Sequence, residues 1–105
     1  MTSFQSVVIL SNVQAELILD QRHAVGTSAF AELLVWRAPE PVSASSHVFK
    51  YRLAFVVDGV CVLRYDNEAG KGDHRHVGTV EKPYAFTTPA QLLTDFWADV
   101  DNWRP

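Results

Sequence analysis

Histidines, basic residues and carboxylates are concentrated in residues 65–76, which have the sequence YDNEAGKGDHRH. If the segment 73–76 is extended, His74 and His76 point to one face of a strand and Arg75 to the other, because successive side chains alternate. Two imidazoles beside Lys71 predict acid–base chemistry on a phosphate group. Imidazole titrates near neutral pH, and a cation stabilises the negative charge that a phosphate gains in the transition state.

Two reaction classes are compatible with these residue types. In the first, RNA is cleaved without a metal, because the substrate's own 2′-hydroxyl is the nucleophile and the histidines act as general acid and base. In the second, His74 and His76 bind a metal ion, and Asp66 or Asp73 supplies an oxygen ligand. His-x-His offers only two ligands, so we expect the metal-free reaction and no cofactor. A non-catalytic module that binds nucleic acid or protein is a third interpretation.

The other polar residues of the segment receive supporting roles. Gly70 and Gly72 allow the backbone around Lys71 to approach a substrate closely. Asp73 or Asp66 would orient an imidazole and keep it protonated. The predicted catalytic residues are His74, His76, Lys71 and Asp73, and the predicted substrate-binding residues are Arg75, Arg52, Lys50, Asn67, Tyr65 and Asp66.

A hairpin between residues 47 and 67 is expected to carry basic residues to this segment. Asp58-Gly59 lies between two apolar runs and predicts a two-residue turn, because both turn positions need positive φ. If Val57 faces Val60, alternation places four polar side chains on one face, near the histidines. These are Lys50, Arg52, Tyr65 and Asn67, with Arg52 facing Tyr65 and Lys50 facing Asn67.

The rest of the pattern predicts an α+β domain. Alternation over residues 13–20 and apolar residues at 29–37 indicate a first hairpin, residues 73–80 indicate a further strand, and residues 4–10 are a possible short strand. Thr88-Pro89 has the N-cap and first-turn proline of a helix start. We expect a twisted antiparallel sheet of about five strands with one C-terminal helix packed on one face.

Composition sets limits on the class of protein. The chain has 105 residues, 48% of them hydrophobic and 20% charged, which is typical of a single folded domain spanning residues 1–105. Cys61 is the only cysteine, which excludes a disulfide-held scaffold and favours a reducing cytoplasm. No apolar run approaches the roughly 20 residues of a membrane helix. A net charge of −3 argues against binding nucleic acid through a broadly basic surface, and leaves room for a local basic site.

Several motifs together resemble the TumE family, whose members are regarded as toxins of type II toxin–antitoxin modules. The matching segments are Y-R-L (51–53), the Asp58-Gly59 turn, the whole of 65–76, P-Y-x-F (83–86) and L-L-x-D-F (92–96). The resemblance covers about residues 14–103, so residues 1–12 are interpreted as an N-terminal extension.

The resemblance implies a toxin that is encoded beside a DNA-binding antitoxin and has a nuclease or translation-blocking action. The motif positions that it carries over are Asn67, Lys71, Asp73, His74, Arg75 and His76. The roles given to these residues above come from their chemistry. Ribonuclease toxins that attack ribosome-bound RNA tend to be basic, so the acidic charge of this chain implies either a local RNA contact or a different substrate.

Overall fold

A computed structural model describes residues 15–68 and 70–104 of the chain. In this part of the chain, six antiparallel strands form one sheet in sequence order, followed by one helix. The elements are β1 (Glu16–Ala24), β2 (Ala29–Arg37), β3 (Phe49–Val57), β4 (Val60–Asp66), β5 (His74–Val77), β6 (Val80–Pro83) and α1 (Pro89–Asn102). The expected α+β class is confirmed. The N-terminal extension of residues 1–12 and the possible strand at residues 4–10 lie outside the described residues and stay predictions.

The segment predicted as a single strand at residues 73–80 forms part of two strands. It turns at Gly78, which has a φ of 60°, and the chain returns as β6. The sheet therefore has six strands among the described residues, slightly more than the number expected. The consequence for the site is that β6 lies beside β5, so residues 80–83 are neighbours of the two histidines.

The turn between β3 and β4 is the one that the sequence predicts. Asp58 and Gly59 have φ values of 50° and 79°, and Val57 pairs with Val60. Positive φ at both positions gives the turn the twist of the flanking strands. The prediction of a hairpin at Asp58-Gly59 is confirmed.

The register beyond this turn differs from the predicted one because β4 contains a bulge. Val56 pairs with Cys61 but Phe55 pairs with Leu63, so β4 has an extra residue, Val62, at this point. An extra residue moves every later side chain of its strand to the opposite face. Arg52 therefore pairs with Asp66, and the prediction that Arg52 faces Tyr65 is wrong.

Helix α1 covers one face of the sheet. Its start is as predicted, since the Thr88 hydroxyl accepts a hydrogen bond from the backbone of Gln91 at 3.1 Å and Pro89 occupies the first turn. The buried residues of this core are Ala31, Leu33, Val35, Tyr51, Leu53, Phe55, Leu63, Tyr65, Leu92, Phe96 and Val100. Burying each large apolar side chain contributes about 1.5–3 kcal/mol. In the described residues, no helix has the length and apolar character needed to cross a membrane.

The opposite face of the sheet, here called the far face, carries the polar residues. Cross-strand partners project from the same face, and residues next to the core positions along a strand project away from α1. Two neighbouring rows of the far face follow from the register. The first holds Arg52, Asp66 and His74, and the second holds Ala54, Arg64, His76 and Glu81.

Candidate functional site

Five polar side chains from β4, β5 and β6 meet on the far face. His74 and His76 share this face, as the sequence predicts, and their ring centroids are 5.0 Å apart. The strand period of two aligns them with partners on both neighbouring strands. The five residues, here called the far-face cluster, are Arg64, Asp66, His74, His76 and Glu81.

His74 lies between a backbone carbonyl and two carboxylates. Its Nδ1 lies 2.9 Å from the carbonyl oxygen of Gly72, which can only accept, so Nδ1 carries a hydrogen. Its Nε2 lies 3.0 Å from Oδ1 of Asp66 and 3.3 Å from Oε2 of Glu81. The two carboxylates would stabilise a positive charge on this imidazole. His74 is only 6% exposed, so its side chain is buried on the far face.

His76 has the geometry of a neutral imidazole. The Arg64 guanidinium donates a hydrogen bond to Nε2 of His76 at 3.0 Å, which requires a lone pair on that nitrogen. Burial, followed by the positive charge of Arg64, lowers the pKa of His76 below its ordinary value. The side chain of His76 is 22% exposed, against 7% for His74. The cluster thus joins a buried histidine whose Nε2 faces two carboxylates to a more accessible one whose Nε2 accepts a hydrogen bond from Arg64.

Asp66 holds the two cations of the cluster together. Besides its contact with His74, its Oδ2 lies 2.7 Å from Nε of Arg64. That N–H does not point at the oxygen, so the contact is an ion pair without a well-directed hydrogen bond. Asp66 is 6% exposed, and a buried carboxylate is stable only when it is paired in this way. Of the two candidates for orienting a cluster imidazole, the structure brings Asp66 to His74.

Lys71 lies at the rim of the far-face cluster. Its ammonium group donates to Oε2 of Glu81 at 3.0 Å, and this hydrogen bond is the main cause that lowers the pKa of Glu81. Lys71 is exposed, so its charge faces solvent beside the two histidines. An open depression of about 340 Å³ adjoins this rim. It is lined by Lys71, Asp73, His74, Glu81, Lys82 and Pro83.

Asp73 belongs to a different network from the far-face cluster. Its Oδ1 accepts hydrogen bonds from Nε2 of His47 at 2.8 Å and from the hydroxyl of Tyr51 at 2.7 Å. His47 accepts the backbone N–H of Phe49 at Nδ1, which fixes the proton on Nε2. Burial, and then the bond to Asp73, raise the pKa of Tyr51 above its ordinary value. The imidazole that Asp73 orients is therefore that of His47.

Asn67 links β3 to the segment that follows β4. Its side-chain oxygen accepts from the backbone of Tyr51 at 3.0 Å, and its amide donates to the carbonyl of Phe49 at 2.8 Å. These are hydrogen bonds that a neighbouring strand would otherwise supply, and Asn67 is 1% exposed. The structure places Asn67 inside the fold and does not bring it to the far-face cluster.

Tyr65 and Arg75 lie on the helix side of the sheet. The Tyr65 hydroxyl donates to Oδ2 of Asp99 at 2.6 Å, and Arg75 Nε lies 3.3 Å from the same oxygen. Burial, and then the bond to Asp99, raise the pKa of Tyr65. The expectation that Arg75 points away from the histidines is confirmed. Neither side chain reaches the far-face cluster.

Lys50 and Arg52 lie on the far face, as predicted. Arg52 pairs with Asp66 across the ladder, and Lys50 precedes it by two residues on the same strand. Both are half-buried. The structure therefore brings these two substrate-binding candidates to the side of the sheet that carries His74 and His76.

Three residues of these networks were not predicted as site residues from the sequence: Arg64, Glu81 and His47. Arg64 precedes Asp66 by two residues, so the strand period alone predicts a shared face for the pair. Glu81 pairs with His76 across the β5–β6 turn, and Gly78 was the available signal for that turn. Nothing in the sequence pairs His47 with Asp73, because they are 26 residues apart.

The far-face cluster also contains a set of atoms that fits a metal ion. Ligand atoms of Asp66, His74 and His76 all lie within 4.8 Å of one another. The Nδ1 bond of His74 to a carbonyl is the kind of outer contact that orients a metal-binding histidine. The guanidinium of Arg64 contacts both Asp66 and His76, and its positive charge opposes a second cation at this position.

A comparison with protein families identifies the chain's relatives. A family model described as toxin TumE matches residues 5–104, nearly the whole sequence. The chain belongs to this family of toxins. Neither the comparison with curated proteins nor the comparison with solved structures gives a match.

Proposed function

We propose that this chain is the toxin of a type II toxin–antitoxin module and that it cleaves RNA phosphodiester bonds without a metal ion. The observation that carries the proposal is the pairing, on one face of the sheet, of His74, whose Nε2 faces two carboxylates, with His76, whose Nε2 accepts from Arg64. An acid and a base in adjacent positions, with different environments that hold them in different protonation states, are the groups that proton transfer at a phosphodiester requires.

In the proposed reaction, His76 is the general base. Its Nε2 takes the proton of a ribose 2′-hydroxyl while the 2′ oxygen attacks the adjacent phosphorus. The bond from phosphorus to the 5′ oxygen breaks, and His74 gives a proton to that oxygen. The products are a 2′,3′-cyclic phosphate and a 5′-hydroxyl, and no metal ion takes part in this reaction.

Arg64 and Lys71 are the groups proposed to stabilise the phosphate. Arg64 has other N–H groups besides the one that contacts His76, and its fork can engage a phosphate oxygen. Lys71 is exposed at the rim, where its ammonium group can stabilise the negative charge that develops on the phosphate. Substrate binding releases Arg64 from Nε2 of His76 and frees that nitrogen to accept a proton.

A local group of cations supports RNA binding by an acidic protein. Helix α1 carries Asp95, Asp99 and Asp101 and contains no basic residue. The far face carries Lys50, Arg52 and Arg64, together with the carboxylates Asp66 and Glu81. The proposed contact with the phosphate backbone is therefore local and does not depend on a broadly basic surface.

The proposal includes a cytoplasmic location and a DNA-binding antitoxin as partner. Membership of a toxin family supports the partner, since such a toxin requires an inhibitor. The acidic, aromatic helix α1 is the docking edge that we propose for it. Co-expression with the neighbouring gene product should restore growth and yield a co-purifying complex. A neighbour that neither binds the chain nor restores growth would remove the antitoxin from the proposal.

The decisive experiment combines growth with cleavage by the purified chain. Induction of the chain should arrest growth, and RNA cleavage should persist in excess chelator and leave 2′,3′-cyclic phosphate ends. His76→Ala should lower the cleavage rate by about 10²–10⁴ while RNA affinity is kept. His23→Ala is the matched control, because His23 is exposed and its contacts are with Gln21 and Trp97, on the helix side.

His74 needs a gentler substitution because it is buried. His74→Asn keeps a donor for the Gly72 carbonyl and removes the Nε2 proton, so cleavage should fall with the fold retained. Two results would refute the acid–base proposal. One is full cleavage by His76→Ala, and the other is growth arrest by a chain that carries both His74→Asn and His76→Ala.

The metal-binding geometry of Asp66, His74 and His76 favours a second candidate, a metal-dependent nuclease. These three residues would hold the ion, which would supply Lewis-acid chemistry at the phosphate. Cleavage that stops on chelation and returns with a divalent ion would establish this candidate. Equilibrium dialysis with manganese or zinc gives a readout that is independent of cleavage.

A further inference from the structure

Lys50 and Arg52 differ from most of the basic residues because they form no ion pair. Within residues 15–68 and 70–104, neither side chain forms an ion pair, and the rest of the sequence contains no Asp or Glu. The basic residues with carboxylate partners are Arg22, Arg37, Arg64, Lys71 and Arg75. Lys50 and Arg52 are also half-buried. Partly burying a cation without an anion costs free energy, which a bound anion would offset.

The position of this pair relates it to the far-face cluster. Arg52, Asp66 and His74 stand in one row on adjacent strands, so the Cα atoms of Arg52 and His74 are roughly 10 Å apart. Lys50 and Arg52 are separated by two residues of β3, or about 6.7 Å along the strand. That separation is comparable with the distance between consecutive phosphates of an extended nucleotide chain.

We infer that Lys50 and Arg52 bind consecutive phosphates of a single-stranded RNA segment that runs along β3 beside the far-face cluster. This inference rests on the proposed function for the identity of the ligand. A base-paired strand fits less well, because attack by a 2′-hydroxyl needs the 2′ oxygen, phosphorus and 5′ oxygen in line. An A-form helix holds its backbone away from that arrangement, whereas a single strand reaches it by local rotation.

The test measures binding, so it does not depend on cleavage. Fluorescence anisotropy follows a short labelled single strand, 2′-O-methylated to prevent cleavage, and its duplex, between about 50 and 200 mM salt. For single strands, each neutralised phosphate contributes about 0.7 to the slope of log K against log salt. Lys50→Ala and Arg52→Ala should each reduce the slope by about 0.7, and the double variant by about 1.4.

Three further arms make the result specific. Arg104→Ala should leave the slope unchanged, because Arg104 contacts the carbonyls of Asp101 and Trp103 at the end of α1. Arg52→Lys keeps the charge and should restore most of the slope, which separates a phosphate contact from a loss of fold. The duplex should bind more weakly than the single strand.

Several results would overturn the inference. The first is an unchanged slope in the double variant, and the second is equal affinity for duplex and single strand. The third is binding of an acidic polypeptide, through Lys50 and Arg52, by a chain that binds no RNA. The last result would assign the pair to an acidic protein segment. If RNA binds through Lys50 and Arg52 but the intact chain never cleaves it, this inference stands and the proposed catalysis fails. If the chain cleaves RNA and both variants bind RNA normally, the proposed catalysis stands and this inference fails.

Discussion

Replacing Asp66 by asparagine tests whether the far-face cluster is held together by charge. The carboxylate lies 3.0 Å from Nε2 of His74 and 2.7 Å from Nε of Arg64. The substitution keeps the volume and one acceptor oxygen but removes the negative charge. The charged His74 that the proposed mechanism requires is then 6% exposed, with the exposed Glu81 as its remaining carboxylate.

Breaking one side of a buried ion pair typically costs about 3–5 kcal/mol. The side chain of Arg64 is 35% exposed, so solvent screens its share, and the expected loss lies at the lower limit, about 3 kcal/mol. A domain of this size loses about 4–8 °C in Tm for each kcal/mol, which predicts a fall of about 12–24 °C. Urea denaturation followed by tryptophan fluorescence measures the free energy of unfolding, and circular dichroism measures the Tm.

Glu32→Gln is the matched control for Asp66→Asn. It breaks the pair between Arg22 and Glu32, whose side chains are 63% and 39% exposed, and should cost no more than about 1 kcal/mol. If Asp66→Asn is no more destabilising than Glu32→Gln, then His74 is not charged in the folded protein. The general acid of the proposed mechanism would then have to be another group.

Two further predictions concern the base and the turn that precedes it. Arg64→Met keeps His76 covered but removes a positive charge, so the pKa of His76 should rise toward its ordinary value in an NMR titration. The acid limb of the pH profile of cleavage should move to higher pH, because only the neutral imidazole accepts a proton. An unchanged pKa of His76 would contradict the part assigned to Arg64. Gly72→Ala should lower the free energy of unfolding by more than the roughly 1–2 kcal/mol expected for Gly70→Ala. Both glycines have positive φ, but only at Gly72 would a new Cβ lie 2.8 Å from the carbonyl oxygen of Ala44, and equal losses in urea denaturation would show that this crowding is relieved without cost.

Local signals in the sequence were sufficient for the turns, the helix start and the shared face of the histidines. Asp58-Gly59 determines its turn because positive φ at two successive positions is a property of those two residues. Thr88 determines the helix start because its hydroxyl reaches a backbone N–H three residues later. His74 and His76 share a face because a strand alternates, whatever surrounds it.

The register of β4 could not be derived from the same kind of signal. Cys61, Val62 and Leu63 are all apolar, so no break in alternation marks the extra residue. A slip of one position exchanges the two faces, which is why Tyr65 was expected beside Arg52 and is found in the core under α1. The position of the bulge therefore depends on the packing of the whole sheet and not on a local signal.

The composition of the cluster was decided by tertiary structure for a related reason. The residue types of a phosphate-cleaving site were visible in the sequence, but the partners of each histidine depend on which strands lie side by side. Asp66 reaches His74 because the bulge returns it to the far face, and Glu81 reaches His76 because β6 turns back along β5. The contacts that place Nε2 of His74 beside two carboxylates and Nε2 of His76 beside Arg64 arise only when these strands come together.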